Sequence, residues 1–144
     1  MKICYYISDH GLGHAARSTA VINALIKKNH QVTVVNHSCK GFLQANTKAK
    51  IVDRKTDLGP VMWKQGTFGI DWIETEKAVE KYIENVEKNI TVEKKFLNSF
   101  DLIVSDVVAH TIVAAHELGI SSVLLSNFSW HSLYRNNLPS PICK

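Results

Sequence analysis

The 144 residues predict a single α/β domain built on a parallel sheet. Short runs rich in β-branched and aromatic residues alternate with longer stretches whose apolar residues recur at helical spacing. The closing order is strand, helix, strand, and a glycine-rich turn stands where the first strand would hand over to the first helix. That alternation requires right-handed crossovers with helices on both faces of the sheet. The expected arrangement is Rossmann-like, with spatial strand order 3-2-1-4-5.

Taken in order, Lys2 to Ser8 (KICYYIS) reads as the first strand and Asp9 to Gly13 as a turn. Ala15 to Lys28 reads as a helix with core face Ala16, Ala20, Val21, Ala24 and Leu25. Gln31 to Asn36 is a second strand, Gly41 to Ala45 a short helix and Lys50 to Asp53 a third strand. Between Lys55 and Asp71, Gly59, Pro60, Gly66 and Gly69 break any period, giving a long loop of the kind that carries function. From Trp72 to about Leu97 the residues Val79, Tyr82, Ile83, Val86, Ile90 and Leu97 form one helical stripe, with Glu84 and Lys88 as an i,i+4 pair opposite. Asp101 to Ser105 is a fourth strand, Ala109 to Leu118 a helix stopped by Gly119, and Ser121 to Ser126 a fifth strand. The domain is expected to occupy residues 1–135, with residues 136–144 as an exit segment rich in Asn and Pro.

Composition removes several function classes. With 45% hydrophobic and 21% charged residues, the chain is neither disordered nor collagenous. No apolar run approaches the roughly 18 residues of a membrane span, and no secretory leader is evident, so a cytoplasmic setting is expected. Cys4, Cys39 and Cys143 lack any C-x-x-C pairing, which argues against a disulfide framework or a cysteine zinc site. The net charge of +4 is too weak to argue for nucleic acid. Lys48, Lys50, Arg54 and Lys55 read as a solvated basic face.

The sharpest local signal is Ser8-Asp9-His10-Gly11-Leu12-Gly13-His14-Ala15-Ala16-Arg17, at the carboxyl end of the first strand, where open parallel sheets hold ligands. Gly11 and Gly13 admit tight or positive-φ backbone and let a ligand approach the peptide N–H groups of the helix N-terminus. Gly11-x-Gly13-x-x-Ala16 also meets the dinucleotide fingerprint, but Asn36, His37 and Ser38 stand where an acidic ribose ligand belongs. His10 and His14 have the spacing of a helical zinc pair, yet glycines lie between them, and no metal is expected. A bare tight turn with two incidental histidines is the remaining reading.

The segment His14-Ala15-Ala16-Arg17-Ser18-Thr19-Ala20-Val21-Ile22-Asn23-Ala24-Leu25 resembles the start of GT-B fold glycosyltransferases. It is similar both to the cell-wall lipid-intermediate GlcNAc transferases with their G-G-H turn and to the UDP-sugar transferases with their H-A-A-P segment. The longer form Asp9-His10-Gly-x-Gly-His14-Ala-x-Arg17 is closer still to a subgroup of bacterial and archaeal transferases, and also resembles the N-terminal part of some sugar kinases. Downstream, Asp106 followed by Ala114, Leu118, Gly119 and Ile120 resembles the family segment D-x(7)-A-x(3)-L-G-[IV]-P, with Ser121 in place of the proline.

The resemblance implies one half of a GT-B architecture: the acceptor-binding domain of an inverting, metal-independent enzyme. That enzyme would move a sugar from a nucleotide-sugar donor, a UDP-sugar by analogy, to an acceptor hydroxyl. No cofactor is expected on this domain. The donor would sit on a C-terminal domain or partner subunit, so the chain is expected to be an excised domain or a natural half, inactive alone. The acceptor would be a sugar or a lipid-linked molecule. The aromatics Trp63, Phe68 and Trp72 in the long loop would hold it, touch a membrane peripherally, or tuck into the core.

By the same resemblance His14 is the general base. Its chemistry suits the role, since imidazole exchanges protons near neutrality and a helix N-terminus disfavours the charged form. Asp106 either orients His14 or caps the following helix. Asp9, His10, Gly11, Gly13 and Arg17 are candidate substrate-binding residues, with Asp9 alternatively bracing the turn and Arg17 alternatively an exposed helical arginine. Ser126 and Asn127, after the fifth strand, would line the cleft between domains. A nucleotide- or dinucleotide-binding domain and a non-catalytic interaction module are the competing functions.

Overall fold

A computed structural model describes residues 1–63 and 69–139. The elements are β1 (Lys2–Ile7), α1 (Leu12–Lys27), β2 (Gln31–Val35), α2 (Lys40–Asn46), β3 (Lys50–Val52), α3 (Trp72–Glu84), α4 (Val86–Leu97), β4 (Leu102–Asp106), α5 (Ala109–Glu117), β5 (Ser121–Leu124) and α6 (Trp130–Arg135). All five strands are parallel and lie in the order β3-β2-β1-β4-β5, as the sequence predicts.

The central strand explains the layering. Ile3, Tyr5 and Ile7 pack toward α1 and α2, against Ala15, Ile22 and Leu43, while Cys4 and Tyr6 pack toward α4 and α5, against Ile90, Leu97, Val108 and Ala115. A strand buried on both faces reads as a continuous apolar run, which is what KICYYI is. Fully burying a side chain such as Ile22 or Leu43 contributes roughly 1.5–3 kcal/mol. Register sets Ile7 beside Asp106, so the ends of β1 and β4 lie together at the carboxyl edge.

Two expectations need correcting. The buried face of α1 is Ala15, Ser18, Thr19 and Ile22, whereas Ala16, Ala20, Val21 and Ala24 are exposed and only Leu25 of the expected face packs inward. Polar groups occupy the inner face because each finds a partner: Ser18 donates to Asp106 (2.9 Å) and Thr19 to the Ala15 carbonyl (2.7 Å). The expected single helix after Trp72 is two. At Asn85 (φ −105°, ψ 2°) the side-chain amide donates to the Lys81 carbonyl and closes α3, while the Asn85 carbonyl accepts from the Asn89 N–H and opens α4. Glu84 and Lys88 straddle this break, and no ion pair joins them among the described residues.

Arg54 also departs from its expected solvated setting. It pairs with the buried Glu93 (2.7 Å) and lies 4.5 Å over the Phe96 ring. After β3, Met62 and Ile70 form an antiparallel bridge and the Trp63 N–H is bonded to the Gly69 carbonyl. Trp63 is exposed and Trp72 is half-buried against Val79 and Tyr134; Phe68 and the expected exit residues 140–144 lie outside the described residues. No helix among the described residues is long and apolar enough to cross a membrane.

Candidate functional site

The turn after β1 is held by its own aspartate. One carboxylate oxygen of Asp9 accepts the backbone N–H groups of His37 (2.8 Å) and Ser38 (2.9 Å), and the other accepts that of Thr56 (2.8 Å). Asp9 thereby ties the exits of β2 and β3 to that of β1, which is the bracing role. Asn36, fully buried, adds to the tie by donating to the Ile7 and Ser8 carbonyls and accepting from the Cys39 N–H. The position of an acidic ribose ligand is thus filled by a structural amide.

Gly11 then turns the chain into α1 with φ +93°, a conformation that a side chain would strain. No side chain caps α1, so the N–H groups of its first turn carry no side-chain acceptor. Gly13 has nothing within 4 Å of where a Cβ would be, leaving open space beside His14. Gly59 is the opposite case: a Cβ there would lie 2.3 Å from the His10 ring, so glycine is what lets His10 sit against the β3 exit.

Asp106 ends β4 and is fully buried. Three donors from α1 surround it. His14 Nδ1 lies 3.0 Å and Arg17 Nη2 2.6 Å from one oxygen, and Ser18 Oγ donates to the other at 2.9 Å. The capping alternative is not realised, since α5 has Val108 at its N-cap and no side-chain cap bond. Directly after Asp106, Val107 holds φ +69°, strained for a β-branched residue. The turn is braced by Ser105 and Thr111, whose hydroxyls donate to the Val108 carbonyl at 2.8 and 2.7 Å.

Two groups face His14 Nδ1, the Asp106 carboxylate at 3.0 Å and the Arg17 Nη2 donor at 3.3 Å. An ionised carboxylate only accepts, and the shorter contact favours the tautomer of neutral His14 with the proton on Nδ1 and the lone pair on Nε2. Arg17 neither stands free nor remains available as a simple clamp: Nη1 also donates to Asn127 (3.2 Å), which links α1 to the segment after β5. Ser126 shapes that segment by hydrogen bonding to both backbone groups of Phe128. His14 is 11% exposed and lines two openings. One is an apolar cavity of about 630 Å³ walled by His10, Pro60, Met62, Phe128 and Trp130; the other is a groove of about 390 Å³ beside Gly13, Arg17 and Asn127. Among the described residues, no three His, Cys, Asp or Glu side chains are grouped as metal ligands would be.

Two site residues escape a reading of the sequence. Trp130 packs its ring edge-on to His10 (5.3 Å between centroids) and near Phe128 (4.9 Å), and its Nε1 donates to Asp57 at 2.7 Å. Asp57 in turn accepts the Asp9 N–H, joining the aromatic wall to the glycine turn. The available signal was Ser129, an N-cap residue immediately before Trp130 that marks the short helix α6.

Comparison with known proteins gives a consistent picture. The family model described as Glycosyl transferase family 1 matches residues 1–137. L-arabinokinase of Arabidopsis thaliana is 32% identical over 142 residues, covering 93% of this chain and 13% of that protein. CalG4, the calicheamicin glycosyltransferase, superposes with a TM-score of 0.64 at 18% identity, covering 96% of this chain and 38% of that one. MurG of Acinetobacter baumannii superposes with a TM-score of 0.51 at 13% identity, covering 94% and 39%. The chain therefore spans well under half the length of each of these relatives, and the two structures share its fold.

Proposed function

The chain belongs to glycosyl transferase family 1, and on that premise we propose that it is the acceptor-binding half of an inverting, metal-independent transferase. The reaction moves a sugar from a nucleotide-sugar donor, a UDP-sugar in this reading, to a hydroxyl of a sugar or lipid-linked acceptor in the cytoplasm. The donor belongs to a C-terminal domain or partner subunit.

One observation carries the reading: His14 lies 3.0 Å from a buried aspartate while facing an open cavity at the carboxyl edge of the sheet. An acceptor hydroxyl in that cavity would lie against Nε2. As its oxygen bonds to the anomeric carbon and the bond to the nucleotide phosphate breaks, the electron pair leaves with the phosphate and the hydroxyl proton passes to Nε2. Asp106, hydrogen-bonded to Nδ1–H, orients the ring and faces the imidazolium that forms. Phe128 and Trp130 offer rings on which a sugar or another apolar face can pack. The dinucleotide alternative has less support, because Asn36 is spent on backbone groups.

The test is His14→Ala in the transferase that contains this chain together with its donor-binding half. Turnover should fall roughly 10²–10⁴-fold with donor affinity unchanged. A variant of full activity would remove the assignment.

A further inference from the structure

A second cleft, distinct from the one at His14, opens between the exit of β3 and the α3–α4 pair, with a volume of about 500 Å³. Lys81 near the end of α3, Asn85 at the break and Lys88 in the first turn of α4 all line it, as do Arg54 and Lys55 from the exit of β3. Among the described residues none of Lys55, Lys81 and Lys88 pairs with a carboxylate. The two acids that line the cleft are already engaged: Asp57 accepts from Asp9 and Trp130, and Glu93 from Tyr6 and Arg54. Like charges gathered around one concavity repel each other, and a bound anion offsets that cost.

The floor is polar and ordered. His110, 5% exposed, has Nδ1 2.8 Å from the Tyr82 hydroxyl and Nε2 3.9 Å from the Glu93 carboxylate. Arg54 is fixed by Glu93 and Phe96, yet its Nε is buried with no hydrogen-bond partner, a donor left unspent at the cleft. Three lysines without a carboxylate partner and a partly free guanidinium lining one cleft match a group carrying two or more negative charges better than a single carboxylate.

We propose that this cleft binds a phosphate-bearing anion, a monophosphate or diphosphate group. The molecule attached to it has room in an adjoining cavity of about 200 Å³, which shares Asp57, Leu58 and Tyr82 with the cleft and reaches Trp130. The charged cleft stands apart from the role of His14, since none of the residues lining it bonds to His14 or Asp106; Trp130, at the far end of the adjoining cavity, is the point where the two sites come near each other.

The experiment is calorimetric titration of the chain with inorganic pyrophosphate and orthophosphate. Lys81→Gln/Lys88→Gln is compared with Lys27→Gln/Lys28→Gln, which removes the same charge at the far end of α1. All four lysines are exposed, so both variants should unfold at the temperature of the parent. Saturable binding that weakens roughly tenfold or more in the cleft variant alone is expected. Equal weakening in both variants, or no saturable binding, overturns the proposal. A further arm uses vesicles containing an anionic phospholipid. Vesicle binding that pyrophosphate displaces and the cleft variant loses identifies a lipid headgroup as the phosphate source. Vesicle binding indifferent to both overturns the cleft as the site.

Discussion

Arg17 donates to Asp106 across 2.6 Å, to the same carboxylate oxygen that His14 approaches at 3.0 Å. The aspartate is wholly buried and the Arg17 side chain is 37% exposed, so this pair joins the core to the cleft surface. Removing the cation leaves a buried carboxylate supported by one imidazole and one hydroxyl. Arg17→Ala should lower stability by roughly 1–3 kcal/mol, less than a fully buried pair because water reaches the arginine. Arg17→Lys should restore only part, since an ammonium cannot span Asp106 and Asn127 together. Urea unfolding checks both, and an unchanged midpoint in the alanine variant would contradict the account.

Asp106→Asn separates orientation from charge. The amide oxygen can still accept from one α1 donor, but its NH₂ can also donate to His14 Nδ1 and favour the tautomer with the lone pair on the wrong nitrogen. Transferase turnover should fall by less than in His14→Ala if Asp106 acts through the ring. Equal losses in the two variants would assign Asp106 a direct part.

Glu93 sets a pH limit on the fold. Burial pushes its carboxyl up, but His110, Tyr6 and Arg54 pull it down more strongly, and the net position is below the ordinary 4.5. His110 stands 3.9 Å away, beyond hydrogen-bond reach, so Tyr6 and Arg54 do most of the holding. A carboxyl depressed on folding contributes stability that is complete above its unfolded value and lost as pH falls through the folded one. Stability should therefore fall as pH drops below about 4.5. Glu93→Gln, though less stable at neutral pH, should show a shallower acid limb in unfolding measured from pH 7 downward. A parallel acid limb would show that Glu93 carries no linkage.

The strand order was legible because β-branched runs and the Gly11 turn each have a single physical reading in a parallel sheet. The inner face of α1 was not. Hydrophobic periodicity pointed to Ala16, Ala20 and Val21, while Ser18 and Thr19 face inward because Asp106 and a carbonyl of the preceding turn satisfy them. A polar residue looks solvent-facing until its partner is known, and Asp106 lies 88 residues away. The Trp130–Asp57 bond, across 73 residues, was hidden for the same reason. His14 begins the helix that follows β1 and Asp106 ends the neighbouring β4, so the sequence could offer their pairing as one of two roles for Asp106, beside capping the next helix.

Gly13 separates stability from function most cleanly. It lies in the first turn of α1 with ordinary helical backbone and no atom within 4 Å of a Cβ, unlike Gly11, whose φ of +93° an alanine would strain. Gly11→Ala should therefore cost roughly 1–2 kcal/mol. Gly13→Ala should raise stability by about 0.5–1 kcal/mol, because alanine loses less backbone freedom in a helix than glycine. The added methyl would project into the space beside His14, next to the uncapped N–H groups. If that space receives the acceptor or the transferring sugar, Gly13→Ala yields a more stable and less active transferase, with KM or turnover moving while the unfolding midpoint rises. If activity is unchanged as stability rises, the space at Gly13 lies outside the reaction, and the acceptor reaches His14 from the aromatic cavity of Phe128 and Trp130 alone.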